Sequence, residues 1–237
     1  RGFIGRQDLL ERLRVQSDRF VTLVGAPGVG KTALARRYAT SQRSVYPGGV
    51  WYCDIAGERT RIGLIRRVAE VLDVRLREGR EERLVEQMVH ALRAGPRRLL
   101  VLEGAEGLGD SGRACLGLWH TRVPEGTFLL TSRERLGLPD EVPVDVPPLS
   151  VEEATALFVL RSQAVGGAPI SDEAREVIAE LVDQLEQPPQ RLHHGLGGRE
   201  LAPYVAIEPH DVEAWEVSRK AISLHRLGPR DPKLARP

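Results

Sequence analysis

A glycine-rich segment near the amino terminus carries the residue types that hold a phosphate cluster. Residues 25–32 read GAPGVGKT and match the pattern GxxxxGK[ST] completely. The glycines let backbone N–H groups surround a phosphate, the lysine adds a positive charge, and the threonine offers a hydroxyl to Mg²⁺. The segment therefore predicts a P-loop that binds ATP or ADP with Mg²⁺. The predicted nucleotide contacts in and beside it are Gly25, Pro27, Gly28, Val29, Gly30, Lys31, Thr32 and Ala33.

A carboxylate at the end of an apolar segment is the second candidate group. Residues 98–103 read RLLVLE, which brings Glu103 to the end of a predicted strand, where it can hold the Mg²⁺ shell. The usual residue is Asp, and glutamate is one methylene longer. The next position, where many such ATPases have a water-activating acid, is Gly104. Glu106 is the nearest remaining carboxylate, either as a catalytic base or as a solvated loop acid.

An arginine follows a further apolar segment. Residues 127–131 read TFLLT, and Arg133 comes two residues later. We therefore expect Arg133 at the carboxyl edge of a sheet, where open α/β folds bind ligands. A cation there can sense the γ-phosphate of ATP. A surface ion pair is the alternative, since arginine is usually exposed.

The elements that must position these groups alternate between strand and helix. Short apolar, β-branched segments predict strands, and leucine or valine stripes at helical spacing predict helices between them. This alternation predicts a doubly wound parallel sheet, an α/β P-loop NTPase domain over residues 1–147. The predicted strands are 20–24, 49–54, 99–102, 127–131 and 142–146, and the predicted helices include 6–16, 31–41 and stripes within 62–72 and 84–92.

The sequence pattern changes after residue 147. Ser150 and Glu153 have the spacing of a capping box and predict a helix from residue 151 to about 163, and a second helix follows without an intervening strand. We therefore predict a small helical subdomain over residues 148–187. Residues 188–237 are rich in Pro, Gly, His and Arg and form a poorly defined tail with one weak helix.

Composition argues against several classes of protein. Lys and Arg total 34 against 33 Asp and Glu, so no overall field attracts nucleic acid or an anionic membrane. No apolar stretch approaches the roughly 20 residues that span a bilayer. Cys53 and Cys115 form no CxxC pair and are predicted to be buried, reduced thiols. We expect a cytoplasmic protein whose segment here binds neither nucleic acid nor membrane directly.

Six segments together resemble a known class of P-loop proteins. Their order and spacing are similar to those of the STAND class, and in particular to the NB-ARC-type ATPase modules of bacterial LuxR-like and SARP-like transcriptional regulators. The resemblance covers residues 3 to about 185. The segments are FIGRQDLLERL, GAPGVGKTALA, GVWYCDIA, RLLVLEGAEGL, TFLLTSRERLGLP and VPPLSVEEATALF.

The resemblance implies roles for residues that the motifs alone do not assign. In that family the element matching Phe3, Ile4, Gly5 and Arg6 lines the adenine and ribose side. The arginine matching Arg133 is the first sensor. Such modules are switches in which ADP holds a closed resting form. Exchange for ATP opens the protein to self-associate or to expose effector domains of the same chain.

The sequence departs from the family pattern at three places. Glu103 stands where an Asp is usual, and Gly104 where Asp or Asn is usual, so the resemblance does not extend to hydrolysis. The GLPLA-type element expected after residue 185 reads QPPQR, from which only Pro189 is carried over as a nucleotide contact. The pair at residues 210–211 is similar to the family's histidine-aspartate element, but an N-cap aspartate is the alternative, because it follows Pro189 too closely for an intervening domain.

The sequence leaves more than one function open. The leading hypothesis is an ATP/ADP-binding signalling switch, the regulatory ATPase module of a larger transcriptional or stress-response regulator, with slow hydrolysis at most. The alternative is a steadily turning-over P-loop ATPase of motor or loader type, which should carry an acid at position 104. A degenerate scaffold is a third hypothesis, and the intact Lys31 and Thr32 argue against it.

Overall fold

The computed structural model describes residues 3–15, 19–164, 175–176 and 178–179. It divides into two compact units, one spanning Arg6–Pro147 and the other formed by residues 3–5 and the described residues from Pro148 onward. Pro189 and the tail 188–237 lie outside the described residues, as does most of the predicted helical subdomain. The domain boundaries proposed from the sequence therefore stay a prediction.

A parallel sheet is the framework of the larger unit. Its strands are β1 (Phe20–Val24), β2 (Val50–Asp54), β3 (Arg98–Glu103), β4 (Gly126–Ser132) and β5 (Val142–Asp145). They pair in the order β2-β3-β4-β1-β5, and every pairing is parallel. Every residue of β1 and β4 is buried, as expected for central strands that are covered on both faces. The predicted α/β P-loop NTPase fold is confirmed.

Helices connect the strands and cover the sheet. They are α1 (Gln7–Val15), α2 (Lys31–Ser41), α3 (Arg61–Val71), α4 (Glu81–Arg93), α5 (Asp110–Arg122) and α6 (Val151–Ala164), with a 3₁₀ turn at Ala105–Gly107. In the smaller unit, the Glu153 N–H donates to Ser150 Oγ at 3.2 Å and the Ser150 N–H donates to Glu153 Oε2 at 3.1 Å. The capping box predicted at the start of α6 is therefore formed.

Helix α5 is absent from the sequence-based prediction. Its residues include Gly112 and Gly117, which weaken helix propensity, and its apolar residues form no clear stripe. Packing compensates, since Leu116 and Trp119 are completely buried in the core beneath the sheet. Tertiary contacts rather than local preference therefore stabilise this helix.

Both cysteines belong to this core. Cys53 and Cys115 are buried free thiols, as the sequence predicts. Burial raises the pKa of Cys53 to about 11 and that of Cys115 to about 12, so both stay protonated near neutral pH. In the described part of the chain, no helix combines the length and the apolar character needed to cross a membrane.

Candidate functional site

The P-loop connects the buried strand β1 to the first turn of α2. Gly28 and Gly30 have φ angles of 75° and 94°, which favour glycine over any residue with a Cβ. Gly30 is the N-cap of α2 and no side chain caps the helix, so the N–H groups of its first turn face the loop. A helix N-terminus that carries no acidic residue in its first turn is a favourable place for a phosphate.

Lys31 lies folded over the loop that precedes it. Its Nζ donates to the backbone oxygens of Gly25 at 2.7 Å and Ala26 at 2.8 Å. Burial lowers the pKa of Lys31, while the charge of Glu106 raises it and that of Arg133 lowers it. The electrostatic influence of both groups means that Lys31, Glu106 and Arg133 share one region of the site.

Arg133 and Glu106 form an ion pair in that region. Arg133 directly follows β4, as predicted, and its Nε lies 3.1 Å from Oε1 of Glu106. The Glu106 side chain is 28% exposed and that of Arg133 is 49% exposed. Glu106 is therefore a partly buried acid held by an arginine, not a fully solvated loop residue.

Glu103 ends β3 and turns toward helix α2. Its carboxylate lies 3.4 Å from Arg36, and its side chain is only 15% exposed. Arg36 follows Thr32 by four residues, so both lie on the same face of α2. The fold thus brings the two predicted metal ligands, Thr32 and Glu103, to the same side of this helix. Arg36 gave no motif signal, and only its helical spacing from Thr32 could have indicated it.

The donor set fits Mg²⁺ bound together with a nucleotide. Mg²⁺ usually takes one or two protein oxygens and completes its octahedron with water and phosphate oxygens. A Thr32 hydroxyl and a Glu103 carboxylate supply such oxygens. Within the described ranges, no cluster of three or more His, Cys, Asp or Glu residues could hold a metal ion by itself. The metal roles of Thr32 and Glu103 stay predictions.

Gly104 is constrained by its surroundings. Its φ angle is 82°, and a Cβ built on it would lie 2.6 Å from the Cβ and 2.7 Å from the Cα of Ala56. Its N–H donates to Thr131 Oγ1 at 3.1 Å, a contact with the neighbouring strand that no sequence motif indicated. A carboxylate side chain at position 104 would therefore require the backbone to move.

Arg6 links the P-loop to the end of the last strand. Its guanidinium Nη2 donates to the backbone oxygen of Val29 and, at 3.0 Å, to that of Pro147, and the side chain is 7% exposed. The sequence resemblance assigned Arg6 to the adenine and ribose side, whereas its observed partners are backbone carbonyls. Ile4 and Gly5 belong to the smaller unit. The nucleotide contacts proposed for all three stay predictions.

The assignment of Glu103 to the metal shell has a measurable consequence. We expect Glu103→Gln to weaken Mg²⁺-dependent ATP binding about tenfold. Loss of a group that orients metal ligands typically lowers metal affinity about 10–100-fold, and this estimate takes the lower end of that range. Mg²⁺-free ADP binding should be unchanged, because only the partner of the metal loses its charge. Titration calorimetry with and without Mg²⁺ measures both affinities.

The matched control for this exchange is Asp145→Asn at the end of β5. That carboxylate lies at the same edge of the sheet, is 72% exposed and pairs with Arg135 at 3.5 Å. The Asp145→Asn variant should leave the affinities for Mg²⁺-ATP and for Mg²⁺-free ADP unchanged. Equal losses with and without Mg²⁺ in Glu103→Gln would assign Glu103 to the nucleotide or the fold instead of the metal.

Comparison with known sequences agrees with this geometry. A family model described as an AAA domain matches residues 13–128. An uncharacterized protein of Mycobacterium tuberculosis is 31% identical over 191 residues, which cover 79% of this chain and 48% of that protein. A proposed HTH-type transcriptional regulator of the same organism is 30% identical over 181 residues, 75% of this chain and 20% of the regulator. The chain thus spans about half the length of the first relative and a fifth of the second.

Solved structures share the fold at low sequence identity. Cdc6p from Pyrobaculum aerophilum superposes with a TM-score of 0.60 and 14% identity, covering 77% of this chain and 56% of that protein. A STAND protein with a tetratricopeptide repeat sensor from Pyrococcus horikoshii superposes with a TM-score of 0.52 and 18% identity. The superposition covers 76% of this chain and 28% of that protein. These likenesses concern the fold alone. Together with the complete P-loop, they show that the chain has the α/β P-loop NTPase fold and is similar over residues 13–128 to AAA domains.

Proposed function

We propose that this chain is the regulatory ATPase module of a larger transcriptional or stress-response regulator, a STAND-type switch that alternates between ADP and ATP. The observation that carries the proposal is the packing of Gly104 against Ala56, beside a strand-end carboxylate. An acid at this position would activate water for hydrolysis, and the backbone leaves no room for one. Nucleotide exchange rather than rapid turnover then determines the state of the protein.

The P-loop supplies the binding energy for either nucleotide. Its backbone N–H groups and the N-terminus of α2 would surround the β-phosphate. Lys31 would leave the carbonyls of Gly25 and Ala26 and contact the β- and γ-phosphates. Thr32 and Glu103 would hold and orient a bound Mg²⁺, which would neutralise phosphate charge, and Arg36 would keep the Glu103 carboxylate in place.

Discrimination between ATP and ADP is the task of Arg133. In the structure its charge is balanced by Glu106 at 3.1 Å. A γ-phosphate carries more negative charge than one carboxylate and competes for the same guanidinium. Separation of the pair would release Glu106 and the 3₁₀ turn that carries it, which gives the switch a movable element near Lys31.

Similar proteins support a role within a larger assembly. One relative is a proposed HTH-type transcriptional regulator, and one structural neighbour is a STAND protein with a tetratricopeptide repeat sensor. This chain spans only 20% of the regulator. The expected partners of the nucleotide-binding unit are therefore effector domains of the same protein or further copies of it.

The nucleotide carried by the purified protein tests the switch directly. Denaturation should release tightly held ADP in close to one-to-one ratio with protein, as identified by mass spectrometry. Steady-state phosphate release in excess Mg²⁺-ATP should be slow. An empty site combined with sustained phosphate release would reject the switch and support the motor or loader alternative.

Removal of the proposed sensor should change nucleotide preference. We expect Arg133→Ala to lower the affinity for ATP at least tenfold and the affinity for ADP less than twofold, because only ATP presents a γ-phosphate to this side chain. Titration of each nucleotide measures the two affinities. Arg135→Ala is the control, since Arg135 is 65% exposed and pairs with Asp145. A similar loss for ATP and ADP would show that Arg133 contacts another part of the nucleotide or supports the fold.

One observation favours the alternative of a turning-over ATPase. Glu106 is partly buried, and its charge raises the pKa of Lys31, so a carboxylate lies near the proposed phosphate site, where a general base would be needed. Single-turnover hydrolysis of radiolabelled ATP separates the two functions. Fast hydrolysis that Glu106→Gln abolishes, and that Glu103→Gln leaves intact, would make Glu106 the base and the protein a steady ATPase.

A further inference from the structure

We propose that the edge of the sheet opposite the P-loop docks an acidic protein segment that also carries apolar side chains. A cavity of about 400 Å³ opens there. We call it the arginine–tyrosine pocket, and the lining residues on which the argument depends are Arg14, Arg19, Tyr38, Val45, Tyr46 and Arg97.

The position of the pocket separates it from the nucleotide site. Arg19 directly precedes β1, and Arg97 directly precedes β3. Because all strands are parallel, their amino-terminal ends meet at one edge of the sheet and their carboxyl ends at the other. The P-loop, Glu103 and Arg133 lie at the carboxyl edge, so a ligand of the pocket occupies a second site.

Positive charge is in excess at the pocket. Among the described residues, three arginines line it, and Glu125 is the single carboxylate of the lining. The ion pair of Arg14 that the described residues show is with Glu11, at 3.5 Å and largely in solvent, so it neutralises little of the arginine's charge. Arg19 is held by the carbonyls of Val123 and Pro124 at 3.1 and 2.9 Å, so its charge is fixed in place.

Arg97 is the strongest candidate anchor. Its guanidinium carbon lies 5.1 Å from the ring centroid of Tyr46, a cation–π contact that orients the side chain without neutralising it. Within the part of the chain that the structure describes, Arg97 has no carboxylate partner. An arginine positioned over an aromatic ring keeps N–H donors available for an incoming carboxylate.

Two tyrosines form the floor of the pocket. Tyr38 is 8% exposed and Tyr46 is 4% exposed. Burial, and then the neighbouring Tyr46, raises the pKa of Tyr38 to about 12. Tyr38 therefore offers neutral surface to the pocket and does not add negative charge that would repel an anion.

Exposed apolar side chains favour a protein segment over a small anion. Val15 and Val45 are 72% and 50% exposed, and they are the large hydrophobic side chains exposed among the described residues. Val45 lines the pocket and Val15 directly follows Arg14. Arginine and tyrosine beside exposed apolar surface are typical of protein interfaces. The relatives extend well beyond the matched region, so they contain further chain from which such a segment could come.

Helix α2 connects the pocket to the P-loop. It begins at Lys31, and Tyr38 in its third turn and Gln42 at its C-cap line the pocket. Its 11 residues span roughly 16 Å at 1.5 Å per residue. A docked segment therefore contacts the helix whose other end holds the phosphates. This regulatory link rests on the proposed function, whereas docking itself does not.

Binding of a labelled peptide to the full chain without nucleotide tests the docking surface. The probe is a fluorescent octapeptide of alternating Glu and Leu, followed by anisotropy at low and physiological salt. We expect saturable binding that Arg97→Glu weakens at least tenfold and that Val45→Ser weakens about threefold. The charge-matched control is Arg66→Glu, an exposed arginine on α3 outside the pocket, which should change affinity less than twofold.

Several outcomes would overturn the proposal. These are no saturable binding, equal losses in Arg97→Glu and Arg66→Glu, or equally tight binding of an octapeptide of alternating Lys and Leu. Displacement of the peptide by equimolar inorganic pyrophosphate would assign the pocket to small anions instead. Bound ADP is removed before the titration and no nucleotide is added. The result therefore does not depend on whether the chain is a switch, which the released-nucleotide measurement decides separately.

Discussion

Replacement of Lys31 by alanine should lower the affinity for both ATP and ADP at least tenfold, equivalent to about 1.4 kcal/mol. The remaining P-loop donors are neutral backbone N–H groups, so the variant loses the charge-assisted contact to the β- and γ-phosphates. In the structure the ammonium group already lies over the loop, with Gly25 and Ala26 as its partners. Titration of each nucleotide in Mg²⁺ measures the loss.

A neighbouring exchange on the same helix controls for nonspecific effects. Arg37 is exposed on α2, six residues after Lys31, and Arg37→Ala should leave both affinities within twofold. Thermal unfolding of Lys31→Ala checks that the loop still folds without the two carbonyl contacts. Unchanged ATP and ADP affinity in a folded Lys31→Ala protein would contradict the assignment of this segment as the nucleotide-binding loop.

Exchange of Gly104 for alanine should lower the free energy of unfolding by about 2–5 kcal/mol. A left-handed backbone costs a residue with a Cβ about 1–2 kcal/mol, and overpacking adds typically about 1–3 kcal/mol. Both apply here, since φ is 82° and the new Cβ would lie 2.6 Å from that of Ala56. Denaturant unfolding of the purified variant measures the difference.

Two other glycines separate the two contributions. Gly137 has a φ of 69°, and nothing lies within 4 Å of the position that a Cβ would take, so Gly137→Ala should show the backbone cost alone. Gly57 has open space and no positive φ, so Gly57→Ala should be close to neutral. Destabilisation should decrease in the order Gly104, Gly137, Gly57. A Gly104→Ala protein as stable as Gly57→Ala would remove the steric argument against an acid at this position.

The Gly104 result bears on the function of the whole domain. If the position tolerates no side chain, a water-activating acid beside Glu103 is excluded by packing against Ala56. In the proposed function, hydrolysis would then depend on Glu106, which is paired with Arg133. The proposed slow turnover and the proposed nucleotide sensing would then involve the same ion pair.

Local sequence signals were sufficient for most of the framework. The P-loop is contiguous, and its glycines, lysine and threonine are required by phosphate chemistry at fixed spacing. The buried strands are short apolar segments with Gly or Pro close to their ends, so the local sequence pattern was enough to predict their positions. The exception is α5, where Gly112 and Gly117 obscured a helix that Trp119 stabilises through burial.

The sequence by itself determined the phosphate-binding loop, the parallel α/β framework and the position of Arg133 at the edge of the sheet, because each depends on residues close together in the chain. Only the tertiary structure decided which charges meet. Arg36 and Glu103 are 67 residues apart, and Arg6 and Val29 are 23 apart. Such pairs form where the packing of helices and loops against the sheet brings separate parts of the chain together. Which residue pairs with which depends on proximity in the folded chain, and a local sequence pattern does not specify that proximity.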